Sequence, residues 1–380
     1  MNVLFLTPRF PPSPGGAETY AQDLTRYLPA EGWNPIVVTY AYPIESGLID
    51  PNIHELGIEL DSLDNIRKVA WRVLQFGLLD DISRIVDSYQ SIDLVHVNSI
   101  ETAIAGRVIA DSLAVPLVAT IHEHAPQIQS FGKGRCKLVF ERLEVDRFIA
   151  PSRFYYERAL ENSVPKDRVA AISHGICSER LRQYRGPCMR QRFGLSNEEY
   201  VLLFVGRIYA PKGLHVLLDA IKGLNVDRDW KLVVAGPDGP DNYTNRVKSD
   251  LANHPVSERV CFTGELSGTE TAALIESSDL MVIPSLAEGF GLVAVEAMHL
   301  GTPIIASEVG GLKEILSDGK TALLFQPEDV DELIVSIERL IKSADLAEGL
   351  ARSARLEAVN KYSSQRMARE TAELYSSLLD

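Results

Sequence analysis

The stretch "LMVIPSLAEGFGLVAVEAMHLGTPIIAS", Leu280 to Ser307, decides the fold. An apolar run leads into Pro284-Ser285 and a glycine-bearing turn, "LAEGFG". "LVAVEAMHLG" then reads as a helix that stops at Gly301, and "TPIIAS" opens a second apolar run. Strand, turn, helix and strand in that order make a βαβ unit, in which the two strands lie parallel. Working outward, the same rhythm fills the chain. "VLFLT", "PIVVTY", "LVHV", "LVAT" and "FIA" alternate with helical patterns in the first half. After Ile172 the series restarts with "VLLFVG", "KLVVAG", "VCFTG", "LMVIPS", "PIIAS" and "ALLF". The expectation is an α/β protein with two successive doubly wound parallel sheets facing across a cleft.

Between the two series, Pro165 and Gly175 interrupt "ENSVPKDRVAAISHGICSERL", which puts a linker near residues 165–178. The last segment places Met367, Ala368, Thr371, Leu374, Tyr375 and Leu378 on one helical face, which needs a surface to pack on. The expected division is a first domain over 1–170, a second over 171–361, and a C-terminal helix at about 362–380 that can return to the first domain.

Composition narrows the function classes. A chain of 380 residues suits two domains rather than one core, and 46% apolar with 24% charged residues excludes a disordered chain. A net charge of −14 argues against a general nucleic-acid binder, which needs a field of Lys and Arg. The opening "MNVLFL" lacks a basic region and a cleavage site, so it is expected as a buried first strand and not as a secretion signal. No run approaches the roughly 18 apolar residues that span a bilayer, so any membrane contact is expected to be peripheral. Cys136, Cys177, Cys188 and Cys261 show no C-x-x-C pairing, and reduced thiols in a cytoplasmic protein are expected.

In open parallel sheets ligands bind beyond the carboxyl ends of the strands. Three such loops stand out. In "TPRFPPSPGGAETYAQDL", Gly15-Gly16 lets backbone N–H groups approach an anion at a helix start, although a simple turn reads equally well. The turn is not G-x-G-x-x-G, which lowers the case for a nicotinamide dinucleotide enzyme. In "FVGRIYAPKGLHVLLDAI", Arg207 after Gly206 and Lys212 before a helix can converge on one diphosphate. In the opening stretch, Glu288 at the mouth of the turn can accept from sugar hydroxyls. The N–H groups of Phe290, Gly291, Leu292 and Val293 can face a phosphate there. Glu296, among Val293, Ala294, Val295, Ala297 and Met298, can accept from the two vicinal hydroxyls of a ribose.

"PSLAEGFGLVAVEAMHLGTPIIASEVGGLKEI" resembles the E-x7-E segment of the retaining family 4 glycosyltransferases of the GT-B fold. "GGAE", "APS" at Ala150 to Ser152, "VGRIYAPKG", "VVAGPDGP" and "FTGELS" resemble other stations of that family in its order, over essentially the whole chain. The resemblance implies two Rossmann-like domains, the first for the acceptor and the second for a nucleotide-sugar donor. It implies that Arg207 and Lys212 hold the donor diphosphate, that Glu296 holds the ribose, and that Glu288 contacts the sugar beside Gly289 and the Phe290–Val293 turn. It further implies that Gly15 and Gly16 meet the phosphates on closure, that Gly264 to Leu266 lie beside the base, and that His122, followed by Glu123, stands beside the reacting sugar. A metal held by His122, Glu123 and His124 is the weaker reading of "IHEHAP", because no third element supplies a ligand. The pattern departs from the family at His174-Gly175-Ile176-Cys177, where an Asn-Gly-hydrophobic-Asp run is common.

The expected activity is transfer of a sugar from a nucleoside diphosphate sugar to an acceptor hydroxyl with retention, without cofactor or metal. A UDP-sugar is expected ahead of a GDP- or ADP-sugar. Sugars, lipid-linked sugars and small molecules are the acceptor classes. A nucleotide-sugar epimerase and a non-catalytic nucleotide-sugar-binding protein are the rivals. In "DSLDNIRKVAWRVLQFGLLDDI", Arg67, Lys68, Trp71 and Arg72 can touch an anionic membrane at its inner face, though a helix packed on the sheet is the plainer reading.

Overall fold

The computed structural model describes residues 1–11, 13, 15–41, 52–55, 71–122, 139–239 and 242–379. They form two compact units, Met1–Gly175 with Ser364–Asp380, and Ile176–Ser363.

In the first unit the strands are β1 (Asn2–Arg9), β2 (Asn34–Ala41), β3 (Ile53–Glu55), β4 (Leu94–Val97), β5 (Leu117–Thr120), β6 (Arg147–Ala150) and β7 (Val169–Ala171). Among the described residues they build one parallel sheet in the order β3-β2-β1-β4-β5-β6-β7. The second unit has β8 (Tyr200–Val205), β9 (Trp230–Ala235), β10 (Val260–Gly264), β11 (Leu280–Ile283), β12 (Ile304–Ser307) and β13 (Leu323–Phe325). These are also parallel, in the order β10-β9-β8-β11-β12-β13. Every apolar run singled out in the sequence is a strand. The central ones are buried along their length, as at Leu280–Ile283, because helices cover both faces of a parallel sheet.

Each sheet reverses direction once, between β1 and β4 in the first and between β8 and β11 in the second. At such a reversal the loops leaving two neighbouring strands diverge to opposite faces and leave a crevice. The loops singled out for chemistry leave these strands, the adjacent β5 or the edge strand β10.

Two short strands escaped the sequence reading. β3 and β7 have three residues each and lie at the sheet edges, where Ile53-His54-Glu55 and Val169-Ala170-Ala171 lack the continuous large apolar run that marks the equally short β13, Leu323-Leu324-Phe325. The expected linker is therefore partly sheet. Val169–Ala171 pairs with Phe148–Ala150, and the chain leaves the first unit only at Gly175. The C-terminal helix Ser364–Ser376 belongs to the first unit, where Met367, Ala368, Ala372 and Tyr375 join Phe5, Tyr20, Leu24, Trp33 and Leu94 in one core. The second core centres on Leu202, Phe204, Leu217, Val234, Val282, Ile305 and Ile337.

Candidate active site

In the second unit the crevice between β8 and β11 is built by two loops locked edge to edge. After β8, Ala210–Lys212 form one turn of 3-10 helix, and Gly213 then takes a left-handed conformation (φ 68°) before the helix Leu214–Lys222. A Cβ at Gly213 would collide with the carbonyl oxygen of Pro284, so only glycine lets the β8 loop press against the loop after β11. Leu286 N–H donates to Pro211 O at 2.8 Å and seals the contact.

This places Lys212 on Glu288. The ammonium Nζ donates to Glu288 Oε2 at 2.6 Å, and Ser285 Oγ donates to the same oxygen at 3.2 Å. The Lys212 side chain is 21% exposed and that of Glu288 only 9%. Burial works against the Lys212 ammonium. The charge and hydrogen bond of Glu288, with help from Tyr209, outweigh it, and the lysine ends above its ordinary value. Arg207 acts the other way on Lys212, which means that the two cations lie close enough to feel each other. Arg207 itself is exposed beside Gly206. Among the described residues it has no ion-pair partner.

Behind Glu288 the Val309-Gly310-Gly311 turn acts as a backstop. Gly311 N–H donates to Glu288 O at 2.9 Å, and a Cβ on Gly310 or Gly311 would run into the backbone of Glu288, Gly289 and Phe290. The helix Leu292–Leu300 then starts at Gly291 with no side-chain cap. Its first N–H groups, which have no intrahelical partner, keep their donor capacity for a ligand. Ala294, Val295, Ala297 and Met298 are fully buried, while Leu292, Val293 and Glu296 are partly exposed on the remaining face. Glu296 thus shares the open side of the helix with its N-terminus. Its carboxylate lies 3.5 Å from a guanidinium that the sequence reading did not single out, that of Arg180. No motif spacing points to Arg180, because 116 residues separate the pair. Gly264 ends β10, and Leu266 follows it, 9% exposed, just before Ser267 caps the helix Gly268–Glu276.

The first unit holds the other candidates. Gly15 precedes the helix Gly16–Tyr27, again without a side-chain cap. The space over Gly15 is taken by the Glu18 carboxylate, so an anion at this helix start must displace Glu18. His122 follows β5 and is held from several sides. Its Nε2 lies 2.8 Å from Asn98 Oδ1, and its carbonyl accepts from Tyr155 OH at 2.6 Å. Asn98 Nδ2 donates to Ala17 O at 3.0 Å, which fixes the amide so that Oδ1 faces His122. His122 Nε2 therefore carries the proton, and Nδ1 presents a lone pair. Burial pushes the His122 imidazolium down to about 3, so the ring is neutral at ordinary pH.

His174, at the position where the family pattern breaks, stacks on His122 with ring centroids 5.1 Å apart and packs on Tyr20 at 4.4 Å. It supports the His122 ring from within the same unit. Cys177 is buried before the short helix Ser178–Leu181, with its thiol 3.3 Å from Glu179 Oε2. Below them His96 joins Tyr375 through Nδ1 and Thr120 Oγ1 through Nε2 at 2.7 Å.

Among the described residues no group of three His, Cys, Asp or Glu side chains is gathered for a metal ion, and Glu123 and His124 lie outside those residues. Arg67 and Lys68 also lie outside them, as do the side chains of Trp71 and Arg72 in the helix Trp71–Asp87. Among the described residues no helix is long and apolar enough to cross a membrane.

The chain compares with known proteins over both units. The family described as "Glycosyltransferase Family 4" matches residues 14–180, and "Glycosyl transferases group 1" matches residues 188–357. An uncharacterized glycosyltransferase of Methanocaldococcus jannaschii is 26% identical over 99% of this chain and 98% of its own. The D-inositol 3-phosphate glycosyltransferase of Mycobacterium marinum is 32% identical over 68% of this chain and 57% of its own. Among solved structures, HepE of Anabaena in complex with UDP and glucose superposes with a TM-score of 0.82 at 21% identity, covering 100% of both chains. With a glycosyltransferase family matched on each half and the two parallel sheets of that fold, the protein belongs to the GT-B glycosyltransferases, a family 4 module followed by a group 1 module.

Proposed function

We propose that this glycosyltransferase takes its sugar from a nucleoside diphosphate sugar, with a UDP-sugar as the donor, and transfers it with retention and without a metal. The observation that carries the reading is the crevice of the second unit, where Lys212 lies on Glu288 and within the field of Arg207. The hard step is departure of the diphosphate, whose charge grows as the glycosidic bond stretches. Arg207, Lys212 and the uncapped helix start at Gly291–Val293 are the donors for that charge. Glu288 positions the transferred sugar, Glu296 accepts from the ribose hydroxyls, and the Gly264–Leu266 segment borders the base. Gly15 and Gly16 are assigned to phosphate contact, with Glu18 moving aside.

Retention follows if the acceptor hydroxyl attacks from the leaving-group side and hands its proton to the departing diphosphate. His122, neutral in its buried setting, serves as a hydrogen-bond partner for a sugar hydroxyl and not as a cationic acid. The acceptor, a sugar, a lipid-linked sugar or a small molecule, is assigned to the first unit, in a cytoplasmic protein with at most peripheral contact at the inner membrane face. UDP bound to the structurally similar HepE supports the choice of base.

A thermal-shift screen of UDP-, GDP- and ADP-sugars tests the donor, because a ligand bound only by the native state raises the melting temperature. Lys212→Ala should lower turnover by about 10²- to 10³-fold at an unchanged circular dichroism spectrum, and an unchanged rate refutes the diphosphate assignment. The anomeric configuration of the product, read by NMR, tests retention. An unaltered rate in excess chelator is expected. A new sugar isomer formed from donor alone would favour epimerisation.

A further inference from the structure

One charged side chain of the second unit is buried at the edge of this crevice and has no part in the chemistry above. Arg180 stands in the short helix Ser178–Leu181, and its side chain is only 10% exposed. A guanidinium withdrawn from water to that extent is kept in place by counter-charge. That charge is Glu296, whose Oε1 lies 3.5 Å from Arg180 Nη2 with its side chain 15% exposed. On its other side the guanidinium reaches the start of the helix Gly268–Glu276, where a Cβ at Gly268 would stand 3.5 Å from Arg180 Nη1. Arg180 therefore spans from the carboxylate assigned to the ribose to the helix that follows Gly264 and Leu266, the segment assigned to the base.

The geometry suits a positioning task. Glu296 hangs from a helix by three rotatable bonds, and a carboxylate that must accept from two vicinal hydroxyls has to be presented in one orientation. A planar guanidinium can fix such an orientation because Nη2 faces Glu296 Oε1 while Nη1 lies by Gly268, so its rigid plane is set between two elements, which a single ammonium point cannot be. At 3.5 Å the contact is an ion pair and not a short hydrogen bond, and a carboxylate has about four lone-pair sites, so it retains acceptor capacity for a diol.

We propose that Arg180 is a positioning residue that holds the Glu296 carboxylate in the orientation gripping both ribose hydroxyls, and thereby sets the preference of the site for a ribonucleotide donor. This rests on the assignment of Glu296 to the ribose.

The test is calorimetric titration of UDP and 2′,3′-dideoxyuridine 5′-diphosphate into the whole chain, as wild type, Arg180→Gln, Arg180→Lys, Glu296→Gln and the Arg180→Gln/Glu296→Gln pair. Wild type should prefer UDP by about 10- to 100-fold, the range expected of hydrogen bonds to a charged acceptor. Arg180→Gln should cut that preference to within about threefold by weakening UDP alone, Arg180→Lys should fall between, and the pair should lose no more than Glu296→Gln. A full wild-type preference in Arg180→Gln overturns the proposal, as does an equal weakening of both ligands, which marks a purely structural role. Should Arg180→Gln not fold, Arg180→Lys decides, since an undiminished preference there leaves no task for the planar fork. Equal binding of the two ligands by wild type, or binding of neither, instead removes the ribose assignment and the proposal with it.

Discussion

At the scale of single residues, the crevice holds its two opposite charges on each other. Lys212 and Glu288 are bonded at 2.6 Å, yet the proposed reaction needs the lysine on a phosphate and the glutamate on a sugar. The donor must therefore exchange partners with a pre-existing ion pair. Glu288→Gln removes the competitor while leaving an amide of the same shape, and it also strands a mostly buried ammonium. The variant should bind UDP as tightly as wild type or several-fold more tightly, and turn over about 10²-fold more slowly. Its melting temperature should drop without ligand and recover more steeply with UDP than that of wild type. Calorimetry, initial rates and thermal melts read the three quantities, and weaker UDP binding would contradict the exchange. The sequence reading singled out both partners. Their mutual pairing was not, because 76 residues separate them and no local pattern encodes a contact that depends on strand order.

At the scale of elements, the site is held by loops that meet through backbone. Gly213 against Pro284 O and Gly310-Gly311 against the Glu288–Phe290 backbone leave no room for a side chain. Gly194 has nearly the same left-handed φ as Gly213, 65° against 68°, but nothing within 4 Å of its would-be Cβ. The pair separates backbone strain from collision. Gly194→Ala should cost about 1 kcal/mol, the strain of a non-glycine residue in that conformation. Gly213→Ala should cost roughly 2–4 kcal/mol by adding overpacking against a main-chain atom. Urea denaturation with unchanged m-values checks both, and equal costs would mean that the β8 loop gives way freely. The sequence reading took Gly15-Gly16 for close backbone approach to a ligand and made no such reading of Gly213, Gly310 or Gly311. The structure adds that these three serve approach of one loop to another, a use that looks the same in a linear pattern.

At the scale of the whole molecule, the two units differ in what acid does to them. The first unit buries His96 and His174 together with Tyr20 and Tyr375, and the partly buried His122 stacks on His174. Burial pushes His96 and His122 down to about 3 and His174 well below its ordinary 6.5; His122, and for His174 also Arg366, add to the push as positive neighbours. The folded unit refuses protons that the unfolded chain accepts below about 6.5, so this stability is complete above 6.5 and lost as pH falls from there towards 3. For His96 and His122 the loss is on the order of a few kcal/mol each. In the second unit Glu270 is lowered first by its hydrogen bond from Arg192, so its contribution is lost only as pH falls below about 4.5. Hydrogen-exchange mass spectrometry between pH 7 and pH 4 should show β1, β4 and β5 losing protection at a higher pH than β8 and β11. Simultaneous loss would assign the acid response elsewhere. The sequence by itself determined the two parallel sheets and all of their described strands but β3 and β7, because apolar periodicity and glycine spacing are local properties of the chain. Only the tertiary structure decided that Lys212 rests on Glu288, that Arg180 stands beside Glu296, and that His174 stacks under His122. It also decided that the last helix returns to the first core. Each of these joins residues far apart in the chain, and their meeting is fixed by strand order and packing, which no window of sequence contains.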